Sequence, residues 1–515
     1  MGAASLNATR RSRELDSLAT GEQVDVVVLG GGVTGTGVAL DAASRGLSVA
    51  LLEANDLAHG TSRWSSKLIH GGLRYLAHAE FGLAYESARE RDILMTRTAP
   101  HLTRGLPQVF PFYGRSSRLA QATVGAGLYA GDALRIGIAT PGSLLPHPRV
   151  VSPTEAAALA PGLRPGMRSA LLAFDGAVTD DARLVTALAR TAASRGARIL
   201  PRVRALGASR DRVHARDVLT GEELTVHAGQ VINATGVWSS ELAPDIRLRP
   251  SRGSHLVLRD TAAGISESAV MVPVPGETNR FVFLLPQQDG RVYLGLTDEP
   301  MSGPIPDVPT APETDVDFLL EIASTVLARP LTRDDVIGSF AGLRPLIESD
   351  DADASADLSR NHVVRTGANG VVTVVGGKLT TYRKMAQDAV DAAIRTGTLR
   401  AGRTGTERLP LVGAAHRSRL HNTAAPKRLI ARYGTEAGQV AALGQVDPQL
   451  ARPVSPGSDV TAAEVVWAVR HEGALHTDDV LHRRTRLGLV PQEAQAAREN
   501  IDDLLQRALR GIADT

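Results

Sequence analysis

The sequence predicts a large mixed α/β body followed by an all-helical C-terminal domain, and three observations carry that prediction. A strand, a glycine turn, a helix and a second strand follow one another over Val24–Glu53. Segments of period two, "VINATGVW", "GSHLVL", "RFVFLLP" and "RVYLGLT", recur between Val231 and Thr297, as strands with one buried face do. After roughly residue 400 only short helical patterns remain, among them "APKRLIARYG", "TAAEVVWAVRHEG" and "PQEAQAARENIDDLLQRALR".

Taken in order, residues 1–22 read as a polar tail with a short helix. "VDVVVL" is a buried-strand run, Gly30-Gly31-Gly32 a turn, Val33–Arg45 a helix with small residues on one side, and "LSVALLE" a second strand. A right-handed crossover makes these two strands parallel neighbours. Leu83–Thr98 has the pattern of an amphipathic helix, and a Pro/Gly-punctuated stretch, "RGLPQVFPFYGRSS", follows. Asp180–Gly196 is a capped helix that leads into the strand "ARILPRVRALGA". A Pro-rich loop, Pro300–Pro312, precedes a helix near Asp315–Ala328. The strand "VVTVV" at 371–375 then meets Gly376 and a new helix starting near Lys378.

Composition narrows the function. With 515 residues, 43% hydrophobic and 22% charged, the chain has the make-up of an ordinary globular protein of two or three domains. The formal net charge is only +2, and no basic stripe with interleaved aromatics occurs, so nucleic acid is not an expected partner. Cysteine is absent, which excludes disulfides, thiolate metal clusters and iron–sulfur centres. His471, His476 and His482 fall at spacings that put no tidy pair on one helix face, so no metal site is expected. The N-terminal residues lack the apolar core of a signal peptide, and no run approaches the ~20 apolar residues of a spanning helix. The expected location is the cytoplasm, or the cytoplasmic face of a membrane.

Three stretches carry chemistry. Gly30, Gly32 and Gly35 form G-x-G-x-x-G between a strand and a helix, and Glu53 ends the next strand. The first glycine makes the turn, the second lets amides approach a pyrophosphate, and the third lets helix and strand pack closely. The carboxylate accepts from ribose hydroxyls. This Rossmann-like pattern indicates a dinucleotide without choosing NAD or FAD. Next, "HGTSRWSSKLIHGGLRYL" (His59–Leu76) is packed with hydroxyls and holds Lys67 and the pair Gly71-Gly72. It reads either as a polar surface loop or as a chain passing under a cofactor with its amides facing the ligand. Last, the chain has only four lysines, Lys67, Lys378, Lys384 and Lys427, and two of them lie in "VVTVVGGKLTTYRKMA". A strand, Gly376-Gly377 and a helix start at Lys378 form a ready anion site.

These stretches, with "DDARLV", "GLTD", "GLRPL" and "HEGALHTDDVLHRRTRLGL", lie in order along most of the chain. Together they resemble the FAD-dependent, quinone-linked glycerol-3-phosphate dehydrogenases of bacteria, within the D-amino-acid-oxidase-like flavoproteins. The resemblance implies an FAD-binding domain (about 23–100, 165–250 and 335–395) interleaved with an antiparallel-sheet substrate domain (about 100–165 and 250–335). A helical domain over 396–515 follows. It implies FAD contacts from Gly30, Gly32, Gly35, Glu53, Thr61, Ser62, Ser66, Lys67, Leu68, His70, Gly71, Gly72, Val203, Ala234, Thr235, Gly236, Gly377, Lys378, Leu379 and Thr380. It also implies a pocket above the flavin for sn-glycerol 3-phosphate, built from Arg74, Tyr75, His255, Arg344, Arg360 and Lys378. His255 is the expected base, its side chain titrating near neutrality. Arg344 would polarise the forming ketone, Asp298 would orient its neighbour, and Lys378 would stabilise negative charge on the reduced flavin.

The family passes electrons to a membrane quinone at the membrane surface. Here Arg115–Ala139, with Arg115, Arg118 and Arg135 beside an apolar helix face, reads as an interfacial anchor or as an ordinary packed helix. Three rivals remain: an oxidase that uses oxygen and makes peroxide, an amine or amino-acid oxidase, and an inactive flavin-bearing sensor. The oligomeric state is not legible, a homodimer being compatible with the reading.

Overall fold

The computed structural model describes residues 2–72, 80–114, 117–277, 280–348, 362–397 and 399–513. Arg74, Tyr75, Arg115 and Arg360 lie outside the described residues.

Two sheets organise the body. The first places its strands in the order His362–Thr366, Val372–Gly376, Glu223–Asn233, Val24–Leu29, Val49–Glu53 and Arg198–Pro201. Val24–Leu29 pairs in parallel with both Val49–Glu53 and Glu223–Asn233. Its valines are wholly or nearly buried because both faces are covered, one by helices and the other by a helix and the strands Val203–Ser209 and Arg212–Asp217. Val26 and Val28 face the helices Val33–Ser44, Asp181–Ser194 and Tyr382–Arg395. Val27 and Leu29 face the opposite side, where Leu15 and Leu18 pack. Those leucines belong to the helix Ala8–Ala19, whose Arg11 also pairs with Asp217 at 2.6 Å. Spacing Arg11, Leu15 and Leu18 on one helical face makes the N-terminal stretch a docked element of the body and not a tail.

The second sheet, mostly antiparallel, carries Glu299–Pro300, Ser251–Arg259, Arg291–Gly295, Phe281–Pro286, Ala269–Pro273, Thr103–Phe112, Ser169–Val178 and Leu68–Ile69 in that order. Val336–Arg344 pairs with Ser251–Arg259 along the latter's free side. By sheet membership, Leu68–Ile69, Ser169–Val178 and Val336–Arg344 stand with the substrate side, although the sequence division put them with the cofactor side. Hydrogen-bond register decides this, and no local pattern reveals it. The Pro/Gly stretch after residue 102 is in fact the long strand Thr103–Phe112. It pairs fully with Ser169–Val178 but meets its other neighbour only at Gln108 and Val109. Pro107 and Pro111 are tolerated because one side of the strand is nearly open.

Past Gly376 no named strand occurs among the described residues. The C-terminal helices close two cores of their own, one around Val465, Leu481 and Ile501, the other around Tyr433 and Trp467. The helix Ser117–Ile138 lies on the surface, next to the helix Phe81–Ile93. Its Arg135, read as part of an anchor, is buried and spends its guanidinium on Asp132 and the Thr140 carbonyl.

Candidate active site

The glycine turn is built as its spacing requires. Gly30 has φ +103°, a conformation a side chain rarely tolerates. A Cβ on Gly35 would stand 1.9 Å from the Gly30 carbonyl oxygen, so the helix can approach the strand only with glycine there. The helix Val33–Ser44 begins at Gly32 with no side-chain cap of its own residue. Ser62 Oγ accepts from the Val33 amide at 2.9 Å, and the rest of the first turn presents its amides as an anion site does. Glu53 closes the turn: its carboxylate accepts from the Gly31 amide at 2.6 Å and from the Asn55 amide at 2.7 Å. Burial raises its pKa against those two amides. A strand, an uncapped helix start and a carboxylate at the second strand's end fit a dinucleotide's diphosphate and ribose.

The adjoining strands complete this end. The Ala234 amide donates to the Leu29 carbonyl, and its own carbonyl lies against Gly30. Thr235 Oγ1 donates to Asn233 at 2.7 Å, and Gly236, at φ +62°, faces open space. Val203 is fully buried under the sheet.

The segment from Thr61 onward crosses from the first sheet to the second. Thr61 Oγ1 donates to the Leu343 carbonyl at 2.7 Å, which ties it to the strand carrying Arg344. Ser66 Oγ shares a 2.9 Å hydrogen bond with His255 Nε2. Leu68 is a buried strand residue opposite Ala177. Gly71 is glycine because Arg91 fills its place: a Cβ would meet that guanidinium at 2.1 Å. Arg91 and His70 both lie against the buried Asp175, at 2.6 and 3.5 Å. Gly72, at φ +85°, is pressed against Ala84.

Lys67 does not present its side chain to a ligand. It is buried, with Nζ bonded to Asp181 at 2.8 Å and to the carbonyls of Arg63 and Ser65. Burial pulls its pKa down to about 8 in spite of Asp181. Lys67 can therefore offer a cofactor its backbone, while its side chain pins the segment to the helix that Asp181 starts.

His255 sits in the second sheet, paired with Gly295 and Phe340. Its ring stacks on Phe340 at 4.6 Å and 8°, and Phe340 stacks in turn on Trp64. Gly295 leaves room beneath the ring, where a Cβ would come within 2.3 Å. The sequence expectation that His255 titrates near neutrality is corrected. Burial, then Lys67 and Arg344, lower its pKa to about 3, so the imidazole is neutral across the physiological range. A neutral ring is the form that accepts a proton.

Asp298 has a site residue as its partner. Its carboxylate accepts from Ser251 Oγ and pairs with Arg344 Nη1 at 2.9 Å, so Arg344 is a neighbour that it orients. Arg344 reaches across Gly253, where a Cβ would clash with Nη2 at 2.7 Å. At the far junction, Gly376 and Gly377 have φ of +87° and +70°. Lys378 caps a short 3-10 turn, Leu379–Thr381, that runs into the helix Tyr382–Arg395. Thr380 is buried in that turn and Leu379 half-buried.

Sequence reasoning missed several carboxylates that hold these groups. Asp315 accepts from Ser254 Oγ at 2.5 Å, Thr297 Oγ1 at 2.9 Å and Arg252 Nε at 3.2 Å. Ser254 and Thr297 are the chain neighbours of His255 and Asp298, so one carboxylate braces both strands. Asp175 and Asp181 play similar parts. Their partners come from elsewhere in the chain; Asp181 lies in "DDARLV", but nothing in that stretch tells that Lys67 is its partner.

Residues 25–383 match the FAD-dependent oxidoreductase family, and residues 404–511 match the C-terminal domain of alpha-glycerophosphate oxidase. The chain is 50% identical over 499 residues to glycerol-3-phosphate dehydrogenase 1 of Mycobacterium tuberculosis, covering 96% of each. It is 33% identical to the glycerol-3-phosphate dehydrogenase of Synechocystis, covering 91% of this chain and 90% of that one. In fold it resembles the glycerol-3-phosphate dehydrogenase of Bacillus halodurans solved with FAD, with a TM-score of 0.73, 24% identity, and coverage of 99% and 97%. It also resembles the L-alpha-glycerophosphate oxidase of Mycoplasma pneumoniae, with a TM-score of 0.57, 18% identity, and coverage of 76% and 99%.

Proposed function

The chain belongs to the glycerol-3-phosphate dehydrogenases among the FAD-dependent oxidoreductases, and on that premise we propose that it oxidises sn-glycerol 3-phosphate to dihydroxyacetone phosphate and passes the electrons to a membrane quinone. The observation that carries the reading is the pairing of His255 with Ser66 and of Arg344 with Asp298, on a segment that Ser62 ties to the dinucleotide turn and Thr61 ties to the Arg344 strand, in a chain similar to these dehydrogenases over its whole length.

FAD, when bound, supplies the acceptor for the hydride that leaves C2 of the substrate. Gly30, Gly32, Gly35, Glu53 and Ser62 would hold its diphosphate and ribose, and Gly377 and Lys378 its reactive end. Amides at the Lys378 helix start, with the lysine's charge, favour the negative charge that reduction brings. His255 takes the C2 hydroxyl proton at Nε2, which already meets a hydroxyl, that of Ser66. As the C–H and O–H bonds break, the C2–O bond becomes a ketone, and Arg344, held by Asp298, polarises its oxygen. Arg74 and Arg360 would bind the phosphate, since a guanidinium matches phosphate oxygens two at a time, and Tyr75 is the remaining pocket residue that the resemblance implies.

The acceptor and the membrane contact have their own support. The helix Ser117–Ile138 turns Leu119, Tyr129 and Ile136 outward, and Phe81 and Tyr85 of the adjacent helix are exposed as well. An apolar surface of this kind suits an interface where a quinone dissolves. No helix among the described residues is long and apolar enough to cross a membrane. Glycerol 3-phosphate added anaerobically to the yellow holoenzyme should bleach the flavin, whereas glycine and D-alanine should not. Absence of bleaching would reject the substrate. Under air, electrons should appear in a quinone analogue, and stoichiometric peroxide with no quinone reduction would reject the acceptor in favour of oxygen.

A further inference from the structure

The C-terminal helical domain reaches into the body through a group of buried charges. Arg483 Nε donates to Asp56 at 2.6 Å, and Arg484 forks onto both oxygens of the same carboxylate at 2.9 Å. Arg483 also donates to Asp479 at 2.5 Å, and Asp479 accepts from Arg202 Nη2 at 2.6 Å. Asp56, Arg483 and Arg484 are all less than 5% exposed. The two ends of this group flank Glu53. Asp56 lies three positions beyond it, in a turn whose Ala58 amide returns to the Gly31 carbonyl. Arg202, at φ +63°, follows the strand paired with Glu53 and donates its amide to the Asn55 carbonyl at 2.8 Å.

A buried ion-pair group of this size contributes little net stability, because desolvation offsets the attraction. Its placement is the informative part. Other backbone links hold it within the C-terminal domain, Arg484 donating to the Glu472 carbonyl, but its body side runs through Asp56 and Arg202 to the turn between Glu53 and Gly31, where the dinucleotide's ribose and diphosphate belong. We propose that Arg483, Arg484 and Asp479 of the C-terminal domain, acting through Asp56 and Arg202, are positioning residues for FAD: they hold the Glu53 turn in its ribose-binding shape, so the C-terminal domain controls retention of the cofactor. Two further facts agree. Asp56 and Arg483 both act on the Glu53 carboxylate through space, with opposite sign. Arg486 extends the same grip, donating to the Arg63 carbonyl at 2.7 Å within the segment that leads to Ser66.

The inference rests on FAD occupying the glycine turn; a protein that bound no flavin at all would reject that reading and leave this one without an object. The test uses full-length enzyme stripped of FAD and titrated back, with binding followed by flavin fluorescence. Asp56→Asn and Arg484→Met should weaken FAD binding roughly tenfold or more and shrink the rise in Tm that FAD gives. Arg484→Lys should restore only part of the loss, since an ammonium cannot fork. The glycerol 3-phosphate KM at saturating FAD should move by less than about twofold. A folded variant that loses Tm equally with and without FAD, at unchanged FAD affinity, would reduce the group to a structural role and overturn the proposal. Should both variants fail to fold, hydrogen exchange on the natural enzyme decides: FAD should slow exchange across 479–486, and equal exchange with and without FAD overturns it.

Discussion

Arg344 shows how much a single side chain depends on its neighbours. It is pinned by Asp298 and Ser251 and passes over Gly253, which has no side chain to obstruct it. Arg344→Met should therefore cut kcat/KM by about 100-fold or more, the scale for losing one charge-stabilising donor, with FAD still bound; kinetics within twofold of the natural enzyme would remove Arg344 from the pocket. His255 makes a different statement. Burial, with Lys67 and Arg344 opposing its charge and Asp181 favouring it, puts its folded pKa at about 3, against 6.5 for the same side chain in the unfolded chain. Between those values the unfolded chain binds a proton that the folded chain does not. Stability from this group is complete above about pH 6.5 and is lost as the pH falls toward 3. His255→Gln should flatten the fall of the urea midpoint across that window, and an unaltered slope would contradict the burial argument. For the same reason, kcat/KM should show no inflection from His255 between about pH 6 and 8.

At the scale of elements, the strands Ser251–Arg259 and Val336–Arg344 and the segment Gly295–Asp298 bring the proposed catalytic groups together, and the helix Glu313–Ser324 locks them. Asp315 at that helix's start bonds Ser254 and Thr297, each one residue from a site side chain. Asp315→Asn removes a charged acceptor from this bracket. It should cost about 2 kcal/mol of stability and raise the substrate KM more than it weakens FAD. A fall in Tm with unchanged KM would mean that the bracket stabilises the fold without positioning the site. Helix prediction found this element near its true start, but nothing in "ETDVDF" tells which of its acidic residues turns inward.

Across the whole molecule, the two sheets meet where Thr61–Ile69 passes from one to the other, and the C-terminal domain fastens that crossing from outside. The exposed apolar face of Ser117–Ile138 lies on the outer surface, with Leu119 and Tyr129 at 78% and 51% exposure. If this face meets lipid, Leu119→Ser combined with Tyr129→Ser should reduce binding to anionic vesicles at least tenfold, on the basis of about 1.5–3 kcal/mol per large apolar side chain buried. The flavin spectrum should not change. Vesicle binding equal to that of the natural enzyme would move the contact elsewhere.

The sequence by itself determined the dinucleotide turn, because Gly30, Gly32, Gly35 and Glu53 act within one local βαβ unit whose sterics are set by chain spacing. It also determined the glycine junction at Gly376-Gly377, although the helix there begins only at Tyr382 after a 3-10 turn, and through resemblance the family. Tertiary structure alone decided that Lys67 turns inward to Asp181, that Asp298 serves Arg344, that His255 is held neutral, and that Arg483 and Arg484 reach Asp56. Each of these depends on burial and on a partner more than forty residues away in the chain, and desolvation and long-range pairing leave no mark on local pattern.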